Sequence, residues 1–138
     1  MILLTPALHA ALRVNANRSA EIDHDPAPVV KFFNPLGAAT WLATELYDDG
    51  DTLFGVADLG FGCPELGCFS LSELASIRLS FGLGIERDIG FSTSATLSVW
   101  ADTARRAGSI QQAQSIIWRI EAAPVSELPT DPDEGNGG

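Results

Sequence analysis

A chain of 138 residues, 46% hydrophobic and 19% charged, has the size and composition of one globular domain that buries roughly 60–70% of its unfolded surface. Its apolar runs fall far short of the ~20 residues that span a bilayer, and its opening MILLTPALHAALRV lacks the basic start and small-residue cleavage site of a signal peptide, so a cytoplasmic protein with no membrane partner is expected. The formal charge of −10 disfavours direct nucleic-acid binding, which needs a basic patch facing the phosphates.

Thr5-Pro6 pairs an N-cap with proline at the first helical position, and Leu8, Ala11 and Leu12 recur at helical spacing, predicting a helix over residues 6–14. Residues 15–28, with Asn, Asp and two prolines, read as a loop. The run at 29–33 is rich in β-formers and stops at Asn34-Pro35, since proline cannot donate to a ladder. Two further strand-like runs, 40–47 and 52–59, flank Asp48-Asp49-Gly50-Asp51, a hairpin signal. That turn accounts for its own acids, because Asp bonds local backbone and Gly supplies positive φ. A calcium loop would need alternating acids closed by a terminal Glu, which the segment lacks.

Beyond Gly60-Phe61-Gly62, residues 65–69 read as a short strand, and Ser70 with Glu73 has capping-box form before a helix ending near residue 79. Gly82 and Gly84 interrupt the chain. The alternation over 85–91 predicts a strand carrying Glu86 and Asp88 on one face. Leu97, Trp100, Ala101 and Ala104 predict a helix over 97–107 stopped by Gly108, and Ser109 opens a last helix to about residue 122 with Ile110, Ala113, Ile117 and Ile120 on one face. A DNA-reading helix-turn-helix is set aside, because the second helix has one basic residue, Arg119, and is mostly apolar. The expected fold is α+β: a small, mainly antiparallel sheet of about four or five short strands, an N-terminal helix, a short mid-chain helix and one or two C-terminal helices.

Residues 121–138 hold five acids and no base, half of the net charge. The expected organisation is therefore a domain over 1–122 and a flexible acidic, Pro/Gly-rich tail over 123–138. Cys63 and Cys68 are too few and too close for a secreted disulfide framework and read as reduced thiols. A zinc site would need a second ligand pair, and His9 and His24 have no paired spacing, so neither a metal nor a cofactor is expected.

The ordered set VVKFFNP, WLATE, CPELGCFSLSELASIR and GLGIERDIGF, preceded by an LLT helix and followed by LSVWADTARRAG, resembles the bacterial family known as domain of unknown function 2958 over about residues 1–110. The resemblance implies a small, stand-alone α+β protein of plasmids and mobile elements, with no established activity or cofactor. Its recurrent positions correspond here to Lys31, Phe32, Pro35, Trp41, Thr44 and Glu45, then Pro64 to Gly67, Ser70, Leu71 and Leu74, then Glu86, Arg87 and Asp88.

Core packing accounts for Phe32, Phe33, Trp41, Leu66, Leu71 and Leu74 among these, and backbone geometry for Gly67. The polar remainder is the candidate site. Glu45, Glu86, Asp88, Lys31 and Arg87 are the catalytic candidates, and Glu65 and Thr44 the ligand- or partner-binding ones. A bland account pairs Lys31 or Arg87 with Glu45 or Glu86 in ion pairs. A hydrolase or transferase would instead gather Glu45, Glu86 and Asp88 in one cleft. No Walker loop, nucleophile elbow or complete dinucleotide motif supports an enzyme. The leading expectation is a non-catalytic module that binds another protein, with an acidic DNA mimic as a further alternative.

Overall fold

A computed structural model of the chain describes residues 2–123; the expected tail lies outside them but for its first residue. The elements are α1 (Pro6–Ser19), β1 (Val30–Phe33), β2 (Thr40–Leu46), β3 (Thr52–Asp58), β4 (Glu65–Ser70), α2 (Leu71–Ser76), β5 (Glu86–Arg87), α3 (Leu97–Ala107) and α4 (Ile110–Glu121). The strands form one antiparallel sheet in the order β4-β3-β2-β1-β5. This is the expected α+β architecture. No helix among the described residues is long and apolar enough to cross a membrane.

β2 is buried along its whole length because both faces of the sheet are covered. Trp41, Ala43 and Leu46 join Leu12 of α1 and Phe32 in one core, while Leu42 and Val56 join Trp100, Ala104, Ile110 and Ile117 of the α3–α4 pair in the other. Strict alternation would send Leu46 to the Leu42 face. A bulge between Ala43 and Glu45 inserts Thr44 as an extra residue and returns Leu46 to the α1 side. Burial of a large side chain such as Phe32 or Trp100 contributes about 1.5–3 kcal/mol or more, and the Trp100 indole N–H finds Thr93 Oγ1 at 3.1 Å.

Helix starts combine local and remote caps. Thr5, Ser70 and Ser109 accept amides of their own first turns, and Gly108 ends α3 at φ 91°. Acids distant in sequence do the rest. Asp51 accepts the Ser72 amide and the Ser70 hydroxyl at α2. Asp25 accepts the Ser98 amide and hydroxyl at α3, and Asp58 accepts the Ile110 amide at α4. Glu121 gathers the Thr93 hydroxyl and the Ser94 and Ala95 amides before α3. Four carboxylates of the domain are thereby tied to backbone N–H groups.

Several boundaries differ from expectation. The first helix runs on to Ser19 because its polar residues are anchored: Arg13 Nη1 donates to the Leu46 carbonyl at 2.7 Å and Asn15 Nδ2 to the Thr44 carbonyl at 2.9 Å. These side chains satisfy β2 carbonyls beyond the end of β1. The strand expected over 85–91 shrinks to Glu86–Arg87, since β1 ends at Phe33 and Asp88 Oδ1 accepts the Gly90 amide in a local turn. The mid-chain helix stops at Ser76. Leu66 is exposed, Phe33 is half-buried, and Ile120 faces outward from α4. A Cβ at Gly67 would meet nothing within 4 Å, whereas one at Gly55 would lie 1.7 Å from the Leu42 carbonyl oxygen. The close backbone approach therefore falls at Gly55.

Candidate functional site

The candidate residues divide among three places. β1 and β5 bring Lys31, Phe33, Glu86, Arg87, Asp88 and Ile89 around an open cleft of about 420 Å³. Lys31 Nζ donates to Gln114 Oε1 of α4 at 2.7 Å and lies 3.6 Å from Asp88 Oδ2 and 5.9 Å from the Phe33 ring centroid. The register Phe32↔Arg87 turns Arg87 toward the other face. There its Nη1 donates to the Ile2 and Leu3 carbonyls at 2.7 and 3.0 Å, holding the N-terminal segment. Lys31 thus pairs with Asp88, and Arg87 with backbone carbonyls.

Glu45 belongs to a second cleft, of about 370 Å³, lined also by Arg13, Ser19, Tyr47 and Asp48. Glu86 is level with Phe33, which is level with Thr40. Glu45 lies five residues further along β2 and two strands across, roughly 15–20 Å away at ordinary strand spacings. One carboxylate constellation of Glu45, Glu86 and Asp88 is therefore not what the fold assembles. Thr44 is fully buried at the bulge, its hydroxyl 3.4 Å from the Phe54 carbonyl. Glu65 is exposed on β4, the opposite edge strand from β5.

Sequence reasoning missed the companions of Glu45. Ser19 Oγ donates to Glu45 Oε2 at 2.6 Å, and His24 Nε2 lies 2.7 Å from Ser19 Oγ and 3.1 Å from the Asn15 carbonyl. A carbonyl only accepts, so Nε2 carries the proton, and Ser19 takes that bond while giving its own proton to Glu45. A serine nucleophile needs the free imidazole lone pair instead. This chain orders the α1 end against β2 and leaves Ser19 without an activating base at His24. Tyr47 completes the wall: burial first, then the Cys68 thiol and Glu45, push its hydroxyl up to about 12.

Cys63 and Cys68 are free and exposed. Among the described residues no three His, Cys, Asp or Glu side chains gather as a metal site. Beside Cys63, Ala57, Leu59, Phe61 and Glu65 line a small concavity of about 160 Å³ at the β3–β4 end. Local sequence offered no signal for Ser19, His24, Tyr47 or Gln114, whose partners come from other elements.

A family model described as "Protein of unknown function (DUF2958)" matches residues 3–111. No curated protein and no solved structure shows significant similarity.

Proposed function

We propose, from the premise that this chain belongs to the family described as protein of unknown function (DUF2958), that it is a non-catalytic module binding another protein along the outer edge of β4. The observation that carries this reading is an unguarded edge. β4 pairs with β3 in six unbroken steps, from Thr52↔Ser70 to Ala57↔Glu65, and among the described residues has no strand on its other side. Edge strands are ordinarily blunted by charged side chains, above all lysine, by proline or by a bulge; the strand sequence ELGCFS carries a single charge, Glu65 at its start, and no lysine, proline or bulge. Leu59, Phe61 and Leu66 stand exposed beside it, Phe61 at 83%.

An extended segment of a partner added to such an edge gains main-chain hydrogen bonds, with alternate side chains meeting the apolar patch. The acidic domain favours a basic partner through long-range attraction. β5 offers no comparable edge, being two residues long. The reading is of a cytoplasmic accessory protein of a mobile element, its partner a host defence or replication factor. Neither enzyme chemistry nor DNA mimicry gains support: Glu45 is remote from Asp88, and Asp25, Asp51, Asp58 and Glu121 are occupied by backbone amides at separate places.

Panning a displayed random-peptide library on the intact protein tests this. The expected result is enrichment of extended sequences with alternating apolar positions, lost on Leu66→Lys. Absence of enrichment, or equal enrichment on Leu66→Lys, contradicts it.

A further inference from the structure

Glu45 is only 9% exposed. Its Oε2 accepts the Ser19 hydroxyl, yet among the described residues no Lys, Arg or His forms an ion pair with it. A carboxylate this deep without a counter-cation is costly, and the cost is relieved by a cation brought to it. The cation in its own cleft, Arg13, is engaged elsewhere, with Nη1 on the Leu46 carbonyl and Nη2 on Asn17 Oδ1 at 3.0 Å. The lining therefore holds two carboxylates, Glu45 and Asp48, against one guanidinium that already has its partners.

We infer that this cleft receives the guanidinium of an arginine side chain carried by the partner protein, with Glu45 at the floor and Asp48 at the rim as acceptors and the Tyr47 ring as a stacking wall. Its volume of about 370 Å³ sits at the low end of the roughly 300–1,000 Å³ of whole-ligand pockets. One side chain suits it better than a cofactor. Arginine fits over lysine because its planar fork reaches two carboxylates at once, is weakly hydrated and stacks on aromatic rings. The cleft is also tied to the proposed docking edge, since Cys68 of β4 donates its thiol to Tyr47 Oη at 3.7 Å. That the guanidinium belongs to a protein rests on the β4 reading; the chemistry of the cleft does not.

The test is an NMR titration of the full ¹⁵N-labelled chain with N-acetyl-arginine N-methylamide. Expected are saturable shifts at the Glu45, Tyr47 and Asp48 amides, several-fold weaker with the lysine counterpart and roughly tenfold weaker in Glu45→Gln, which removes one charge-assisted bond. Asp48→Asn, a change at an exposed residue, weakens the response about threefold and serves if Glu45→Gln fails to fold. No saturable shift, an undiminished response in the variants, or equal binding of the lysine analogue overturns the assignment. Tighter binding of agmatine than of the capped residue overturns the protein source in favour of a free small guanidine. Leu66→Lys leaves this titration unchanged, so a surviving arginine response beside a failed peptide selection sinks the β4 reading alone.

Discussion

Asp58 Oδ2 accepts the Ile110 amide at 2.9 Å across 52 positions of sequence, joining the end of β3 to the first turn of α4. Its other oxygen accepts the Gly60 amide at 2.9 Å, and the residue is fully buried. One carboxylate therefore satisfies a helix start and a turn at once. Asp58→Ala leaves both donors without an acceptor and is expected to destabilise the fold by about 2–4 kcal/mol. Asp58→Asn keeps one acceptor and costs about 1–2 kcal/mol. Urea unfolding of both variants measures the difference.

Gly55 and Gly67 give a paired test of the sheet. Gly55→Ala drives a methyl into the Leu42 carbonyl beside the bulge and is expected to cost about 3 kcal/mol or more. Gly67→Ala enters open space and is expected to change stability by less than about 0.5 kcal/mol. Thermal melting of the two proteins should separate them clearly.

Acid should destabilise the domain through particular carboxylates. The Thr52 hydroxyl and amide, with the Asp51 amide, lower Asp49 from 3.8 to about 2, and the Ser70 hydroxyl, then the Ser72 amide and hydroxyl, lower Asp51. Burial works to raise Asp25 and Glu121, but hydrogen bonds from Ser98 and Thr96 and from residues 93–95 outweigh it and leave both lowered. Depressed folded values mean that this stability is present above the unfolded values of 3.8–4.5 and is lost as pH falls through the folded ones. Melting temperature should drop from about pH 4.5 toward pH 2, and Asp49→Asn should flatten the lower part of that profile. A pH-independent melting temperature would contradict the capping account.

Lys31 and Asp88 should behave as a modest structural pair. Asp88 is 28% exposed and the separation is 3.6 Å, so a double-mutant cycle of Lys31→Met and Asp88→Asn is expected to give a coupling of about 0.5–1.5 kcal/mol.

Local patterns carried much of the fold into view. Thr5, Ser70, Gly108 and Ser109 act on amides or carbonyls within four residues, so spacing alone revealed them, as it did the Asp48–Asp51 hairpin. Hidden were relationships whose two halves are far apart: Asp25 with Ser98, Glu121 with Ser94, Arg13 with Leu46. The Thr44 bulge was equally silent, because a one-residue insertion leaves no mark in composition. Glu45, read as one of a set with Glu86 and Asp88, lies in a different cleft with Ser19 and Tyr47, because it sits further along β2 and two strands across from β5. Lys31, Glu86 and Asp88 lie together on the β1–β5 ladder and its continuation, whereas Arg87 of the same strand turns to the other face.

The most direct measurement is amide hydrogen exchange across β4 with and without a peptide selected on the protein. In an antiparallel edge strand alternate amides face outward, so peptide pairing should slow exchange at every second residue of Glu65–Ser70 and leave the rest of the sheet as it was. Protection confined to other elements, with β4 unchanged, would contradict the account.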